Sequence, residues 1–249
     1  EDCTVLLNDL IYLPQTIISE EGTHKIQITD LAGNTNSYSF TIDKTPPVFQ
    51  LSQELNENKY CNKRLSISWS ESQCVAMLND KSYIRDTLIS DGTYTFVLTD
   101  TAGNSSSIHF IIDRSVPHIT ISGIDSKGNT NQPVTLSWNE DYIVLLNGIA
   151  IESGTKVTED GVYEVIVENL AGNTDTYSFE ISTKAPQGIL NGVENTQATN
   201  QIVSFYFEAP STATLNNQAY ISGTAITREG TYTIILTDKF SNTNVYTFT

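Results

Sequence analysis

No stretch of this 249-residue chain approaches the roughly 18 consecutive apolar residues of a membrane-spanning helix, so membrane insertion is not expected. Basic residues are scarce: 13 Lys and Arg stand against 29 Asp and Glu, a formal charge of −16. Nucleic acids bind proteins through phosphate neutralisation by Lys and Arg, so they are not expected partners. Cysteine numbers only three, and an odd count leaves at least one unpaired within the chain. Histidine is as rare, with His24, His109 and His118 at unrelated positions and no Cys, Asp or Glu at metal-ligand spacing from them. No nucleophile motif is present. No catalytic, cofactor-binding or metal-ligating residue is therefore assigned, and the chain is not expected to be an enzyme. Helical periodicity is missing as well, which leaves an all-β chain.

What is present is repetition. Gly22, Gly92, Gly161 and Gly230 stand 70, 69 and 69 residues apart, each opening a similar segment that ends at Asn34, Asn104, Asn173 and Asn242. A Leu-Asn pair keeps the same phase at Leu7-Asn8, Leu78-Asn79, Leu146-Asn147 and Leu215-Asn216. Prolines Pro46, Pro117 and Pro186 close the first three copies. The phase gives a partial repeat at 1–44 and repeats at 45–114, 115–183 and 184–249. Copies two to four carry about 26 residues before their Leu-Asn pair that copy one lacks. Thr249 directly follows Phe248, the counterpart of Phe40, Phe110 and Phe179. Both ends are thus expected to fall inside modules of a longer array, with neighbouring repeats as partners.

Each copy alternates apolar and polar residues, the period of a half-buried strand. One strand carries Leu65, Ile67 and Trp69, then Val134, Leu136 and Trp138, then Val203, Phe205 and Phe207. A second carries Tyr94, Phe96 and Leu98, then Tyr163, Val165 and Val167, then Tyr232, Ile234 and Leu236. A last one carries Phe110 and Ile112, then Phe179 and Ile181. Asn8-Asp9, Asn79-Asp80, Asn147-Gly148 and Asn216-Asn217 suit the positive φ of two-residue type I′ hairpins. In Asp30-Leu31-Ala32-Gly33-Asn34 and its copies, Gly supplies a left-handed residue and Asp bonds its own backbone. About seven short strands at this spacing pack as a two-sheet sandwich.

The Gly-Thr-Tyr at Gly92 to Tyr94, repeated near Tyr163 and Tyr232, matches the tyrosine corner of immunoglobulin-like sandwiches, where the hydroxyl bonds back to the backbone. Copy one has His24 there, which leaves its corner bond open. Phe96, Val165 and Ile234 stand where immunoglobulins place a cysteine, so packing alone must hold the core. Together with Thr-Asp-x-Ala-Gly-Asn, Phe-x-Ile-Asp and a proline, these residues resemble the bacterial immunoglobulin-like (Big) repeats, over essentially the whole chain. The resemblance implies tandem immunoglobulin-like β-sandwich repeats of a secreted or surface protein, acting as stalks, adhesin segments or accessory modules.

Calcium at the domain junctions is the cofactor worth weighing, because oxygen ligands from several loops are what it requires. Asp43 is expected near Asp100, Asn104 or Glu71, and Asp113 near Asn173 or Asp141. Asn169 replaces the turn Asp in copy three, and Ser182 replaces the linker Asp before copy four, so the third junction is expected to bind none. The alternative is that these residues only cap turns. A Cys61–Cys74 disulfide would join the ends of a strand roughly 20 Å long, where about 6 Å is needed; small buried thiols are the other reading. No lysine recurs at a fixed core position, since Lys25, Lys81 and Lys156 differ, so an isopeptide bond is not expected.

The linkers 43–47, 113–117 and 182–186 leave little slack, and proline stiffens them. An elongated rod of modules about 35–40 Å long, exceeding about 120 Å in all, is expected. The leading functional expectation is a non-catalytic, extracellular or cell-surface spacer that presents an adhesive or catalytic domain. A carbohydrate-binding accessory region of a polysaccharide-degrading enzyme is the alternative, with Tyr12, Tyr83 and Tyr220 as candidate exposed aromatics for a glycan or host-matrix ligand. Self-assembly into a surface layer or fibre is a third.

Overall fold

The computed structural model describes residues 2–249, which form strands and turns without a helix. They divide into two compact units, Glu1–Arg114 and Ser115–Thr249.

In the first unit, copy one has a four-stranded antiparallel sheet in the spatial order Leu10–Ile11, Cys3–Leu7, Gly22–Asp30, Thr35–Ile42. Copy two has the same sheet with one addition. Tyr60–Cys61 joins the strand Ser105–Ile112 in parallel, and Gly92–Thr99, Val75–Leu78 and Lys81–Ser82 follow in order. Across it lies a second layer, in which Phe49–Leu51 pairs with Ile67–Trp69 and Leu65 bridges to Ile89. The expected period of two is realised: Leu65, Ile67, Phe96, Leu98, Phe110 and Ile112 close one core between the layers. No side-chain cystine is involved, and Phe96 is fully enclosed where an immunoglobulin would carry one.

The second unit repeats this twice. Copy three packs Thr120–Ser122, Val134–Ser137 and Thr155–Val157 over a five-stranded sheet centred on Gly161–Glu168 and Thr174–Ile181. Copy four packs Ile189–Asn191, Val203–Tyr206 and Ala225–Ile226 over a four-stranded sheet ending in Tyr232–Thr237 and Thr243–Phe248. Each has its own buried cluster, around Val134, Leu136 and Val165 in one and Val203, Phe205 and Ile234 in the other. Apolar side chains alternating along both layers can only meet in this face-to-face, immunoglobulin-like arrangement.

The repeat markers have physical causes. Asn8 and Asp9 sit at φ 47° and 67°, Asn79 and Asp80 at 48° and 61°, and Asn147, Asn216 and Asn217 also at positive φ, which makes each Leu-Asn a type I′ hairpin. The asparagine does more than turn the chain. Its Oδ1 accepts an amide from the neighbouring strand at 2.8 Å in every copy, from Lys25, Thr95, Glu164 and Thr233. At the second turn Asp30 Oδ1 accepts the amides of Ala32 and Asn34, and Gly33, Gly103 and Gly172 hold left-handed φ. Copy four has Ser241 at that position, still left-handed at 69°.

The corner bond forms in all four copies. Tyr163 and Tyr232 donate to Glu159 O and Arg228 O at 2.8 Å, and Tyr94 reaches Asp91 O at 3.4 Å. His24, the departure in copy one, makes the same bond through Nε2 to Glu20 O at 2.8 Å, while Nδ1 accepts from Asn8 Nδ2 at 3.2 Å. A carbonyl beside Nε2 and an amide donor beside Nδ1 fit the Nε2–H tautomer. One marker requires correction: Pro47, not Pro46, is the buried counterpart of Pro117. Pro46 is exposed.

Candidate functional site

The linkers are where the repeat does something beyond packing. Asn104 Nδ2, at the end of the second Ala-Gly-Asn turn, donates to Asp43 O at 3.0 Å and to Asp100 Oδ2 at 2.9 Å. Ser106 Oγ donates to Pro47 O at 2.6 Å. In the second unit the same two positions act on the linker into copy four. Asn242 Nδ2 donates to Ser182 O at 2.7 Å and Asn244 Nδ2 to Pro186 O at 3.2 Å. Asn169 Nδ2 likewise donates to Ser115 O at 3.2 Å. Each turn thus grips the chain that enters its own module, and a carbonyl that water would otherwise satisfy is tied to a fixed side chain.

Carboxylates collect at the first of these joints. Asp43, Glu71 and Asp100 each bring one oxygen within 4.8 Å of the others, as their repeat phase predicts, with Asp100 buried. Burial pushes the Asp100 carboxyl up, but the side chain and amide of Asn104, then the amides of Gly103 and Ala102, outweigh it and hold it below the ordinary carboxylate range. Three such oxygens are part of the six to eight that calcium takes. Asp113 N–H donates to Cys61 O, Asn173 N–H donates to Asn169 Oδ1 at 2.9 Å, and Asp141 is exposed. At the third joint Ser182 stands in place of the acid, and Lys239 pairs with Glu180.

The aromatic candidates are not a surface row. Tyr83 and Tyr220 are only 9% and 8% exposed and belong to the cores. The Tyr83 hydroxyl accepts from Ile67 N–H at 2.9 Å and donates to Thr87 O; Tyr220 accepts from Phe205 N–H at 3.0 Å and donates to Thr224 O. Burial pushes both phenols up. Tyr12 makes the equivalent donation to Thr16 O. The polar ends of Tyr83 and Tyr220 are consumed in the fold, which removes these two as a glycan platform.

Nucleophile chemistry fares no better. All three cysteines are free. Cys61 is buried, but Cys74 is half-buried and Cys3 exposed, so buried thiols describe one of the three. Burial, then the charges of Glu71 and Asp100, push the Cys74 thiol up and keep it protonated. His109 Nδ1 lies 3.2 Å from Thr95 Oγ1, and His118 Nδ1 3.2 Å from the Tyr177 hydroxyl. Grooves of about 510 and 440 Å³ on copy four are lined without histidine or cysteine.

No family model matches the chain, and no curated protein matches it. Solved structures do. The N-terminal eight Ig domains of Down Syndrome Cell Adhesion Molecule isoform 1.30.30 align over 99% of this chain and 44% of theirs, at 10% identity and TM-score 0.34. Sidekick-1 immunoglobulin domains 1–5 align over 99% and 73%, at 9% identity and TM-score 0.30. The Bacteroides ovatus SGBP-B, solved with a mixed-linkage heptasaccharide, aligns over 99% and 86%, at 13% identity and TM-score 0.20. The chain spans less than half the length of the first of these. At these TM-scores the likeness does not reach beyond the fold class, which strand order and register already establish.

Proposed function

We propose that the chain is a non-catalytic stalk of four bacterial immunoglobulin-like modules, at 1–44, 45–114, 115–183 and 184–249, from a cell-surface or secreted protein. Its work is to hold an adhesive or catalytic domain at a distance. The observation that supports this reading is the gripped linker. Asn104 with Ser106, and Asn242 with Asn244, bond the backbone entering their own modules. A hinge meant to flex has no use for such bonds, whereas a spacer loses reach with every free joint. The acidic, hydroxyl-rich exterior suits a surface that avoids sticking.

The test is binding of the purified chain to a panel of polysaccharides and matrix proteins, with calcium and with chelator. The stalk reading expects no saturable binding in either condition. Saturable binding to a glycan would overturn it in favour of an accessory recognition module, and concentration-dependent polymers would favour a fibre. Calcium is decided by the same samples: a melting temperature that chelator leaves unchanged removes it from the first joint.

A further inference from the structure

The segment that enters a module does not stay in one sheet. In copy two Phe49–Leu51 pairs with Ile67–Trp69 in one layer, and Tyr60–Cys61 then pairs with Ser105–Ile112 in the other. Copy three divides Thr120–Ser122 and Asn129–Thr130 in the same way. A turn makes the change of layer. Asn56 Oδ1 accepts the amides of Asn58 and Tyr60 at 3.1 and 2.9 Å, and Asp125 Oδ1 those of Lys127 and Asn129 at 2.9 and 2.7 Å. Each turn closes on a left-handed residue, Lys59 at φ 66° and Gly128 at 79°. A Cβ on Gly128 would lie 2.9 Å from Ser178 O, so the entering backbone runs hard against the last strand.

The pairing reached in this way is parallel, whereas every other strand pair of these two modules is antiparallel among the described residues. Ile111 and Asp113 donate their N–H groups to Lys59 O and Cys61 O at 3.0 and 3.1 Å. Glu180 and Ser182 donate theirs to Gly128 O and Thr130 O at 2.8 and 3.0 Å. Parallel neighbours have the incoming chain at one end and the outgoing chain at the other. Tension along the chain therefore drags the two strands in opposite directions along a common axis and loads their bonds together. A hairpin pulled open from one end gives up its bonds one at a time. Cys61 lies inside this contact, 3% exposed, with its Sγ accepting the Lys63 amide at 3.4 Å.

We infer that the parallel pair is a tension clamp, the contact that holds copies two and three closed when the chain is pulled from its ends. Few bonds suffice, because they must fail together rather than in sequence. The same contact shields the Cys61 thiol, so opening the clamp exposes it. The use of the clamp rests on the stalk reading, since a tethered spacer carries load; its existence does not. A compact shape in solution or saturable glycan binding would remove the stalk and leave the clamp standing.

The experiment holds the whole chain at constant force and times the opening of its modules. Held by the two chain ends, copy two should last about tenfold longer than when the first handle is moved to Asp80. Asp80 sits in the hairpin at the opposite edge of the sheet, so force applied there bypasses Tyr60–Cys61. Equal lifetimes would overturn the inference. Asp113→Pro removes one N–H of the clamp, and Asp113→Ala keeps it. The proline should shorten the end-held lifetime about tenfold, and the alanine should leave it within about twofold. A maleimide should reach Cys61 about tenfold faster in Asp113→Pro than in Asp113→Ala, while amide exchange across Gly92–Thr99 stays slow in both. Proline and alanine variants that behave alike in both readings would overturn it as well. If the proline unfolds copy two outright, the handle comparison on the parent decides alone.

Discussion

Copies one and two of the first unit carry the same sheet with different fates. His24, Ile26, Ile28 and Phe40 occupy the positions of Tyr94, Phe96, Leu98 and Phe110, with matching cross-strand registers. In copy two Phe96, Leu98 and Phe110 are buried under a second layer, while in copy one Ile26 and Ile28 stay half-buried and Phe40 is exposed; only the corner reverses this, with His24 buried and Tyr94 half-buried. Hairpins, corner bonds and registers are therefore local properties that a single sheet keeps. The core is not local: it exists only where two alternating faces meet.

The largest test of that contrast is a pair of truncations. Phe96→Ala should cost about 3–5 kcal/mol, the range for deleting an enclosed aromatic. Ile26→Ala, at the same position of copy one, should cost about 1 kcal/mol because its side chain never left water fully. Hydrogen exchange read copy by copy measures both, since a tandem array does not unfold in two states. Similar costs at the two sites would break the comparison. Next in size is the tyrosine. Tyr83→Phe strands a buried Ile67 N–H and should cost about 1–3 kcal/mol, whereas Tyr12→Phe should leave copy-one exchange nearly unchanged.

Much of this could be read from the residues. Positive-φ hairpins announce themselves through Asn-Asp and Asn-Gly because few other pairs tolerate the conformation, and the repeat phase together with the expected sandwich topology brought Asp43 to Glu71 and Asp100. The tyrosines could not be read the same way. A ring with a polar tip serves equally as an exposed platform or a core residue with one bond to make, and only the strand 16 residues away, at Ile67, decides for Tyr83. The proline register failed for a related reason. Pro46 and Pro47 are adjacent, and the buried one is chosen by the module it enters. Asn104 is expected near Asp43 as a candidate calcium ligand, but its Nδ2 instead donates to the Asp43 backbone O, which residue types alone do not reveal.

The joint offers a smaller contrast. Asn104→Ala should loosen copy two by about 0.5–1.5 kcal/mol, seen as faster exchange in residues 43–47. Asn34→Ala should do less, because among the described residues the Asn34 Nδ2 reaches only Asp30. Smallest at neutral pH is Asp100→Asn, which copies the natural Asn169 turn, where Oδ1 accepts the amides of Ala171 and Asn173. Asp100 has a depressed folded pKa, so its stabilisation is present above the ordinary carboxylate range and is lost as pH falls through the folded value. Acid should therefore loosen the copy-two turn in the parent and spare it in Asp100→Asn. Equal acid sensitivity in both would contradict the assignment.

Small-angle scattering of the whole chain tests the stalk most directly. A rod longer than about 120 Å has a radius of gyration of about 35 Å or more. That value, unchanged across protein concentration, is the result the account predicts. A value near the 18 Å or so of a compact protein of this length would contradict it.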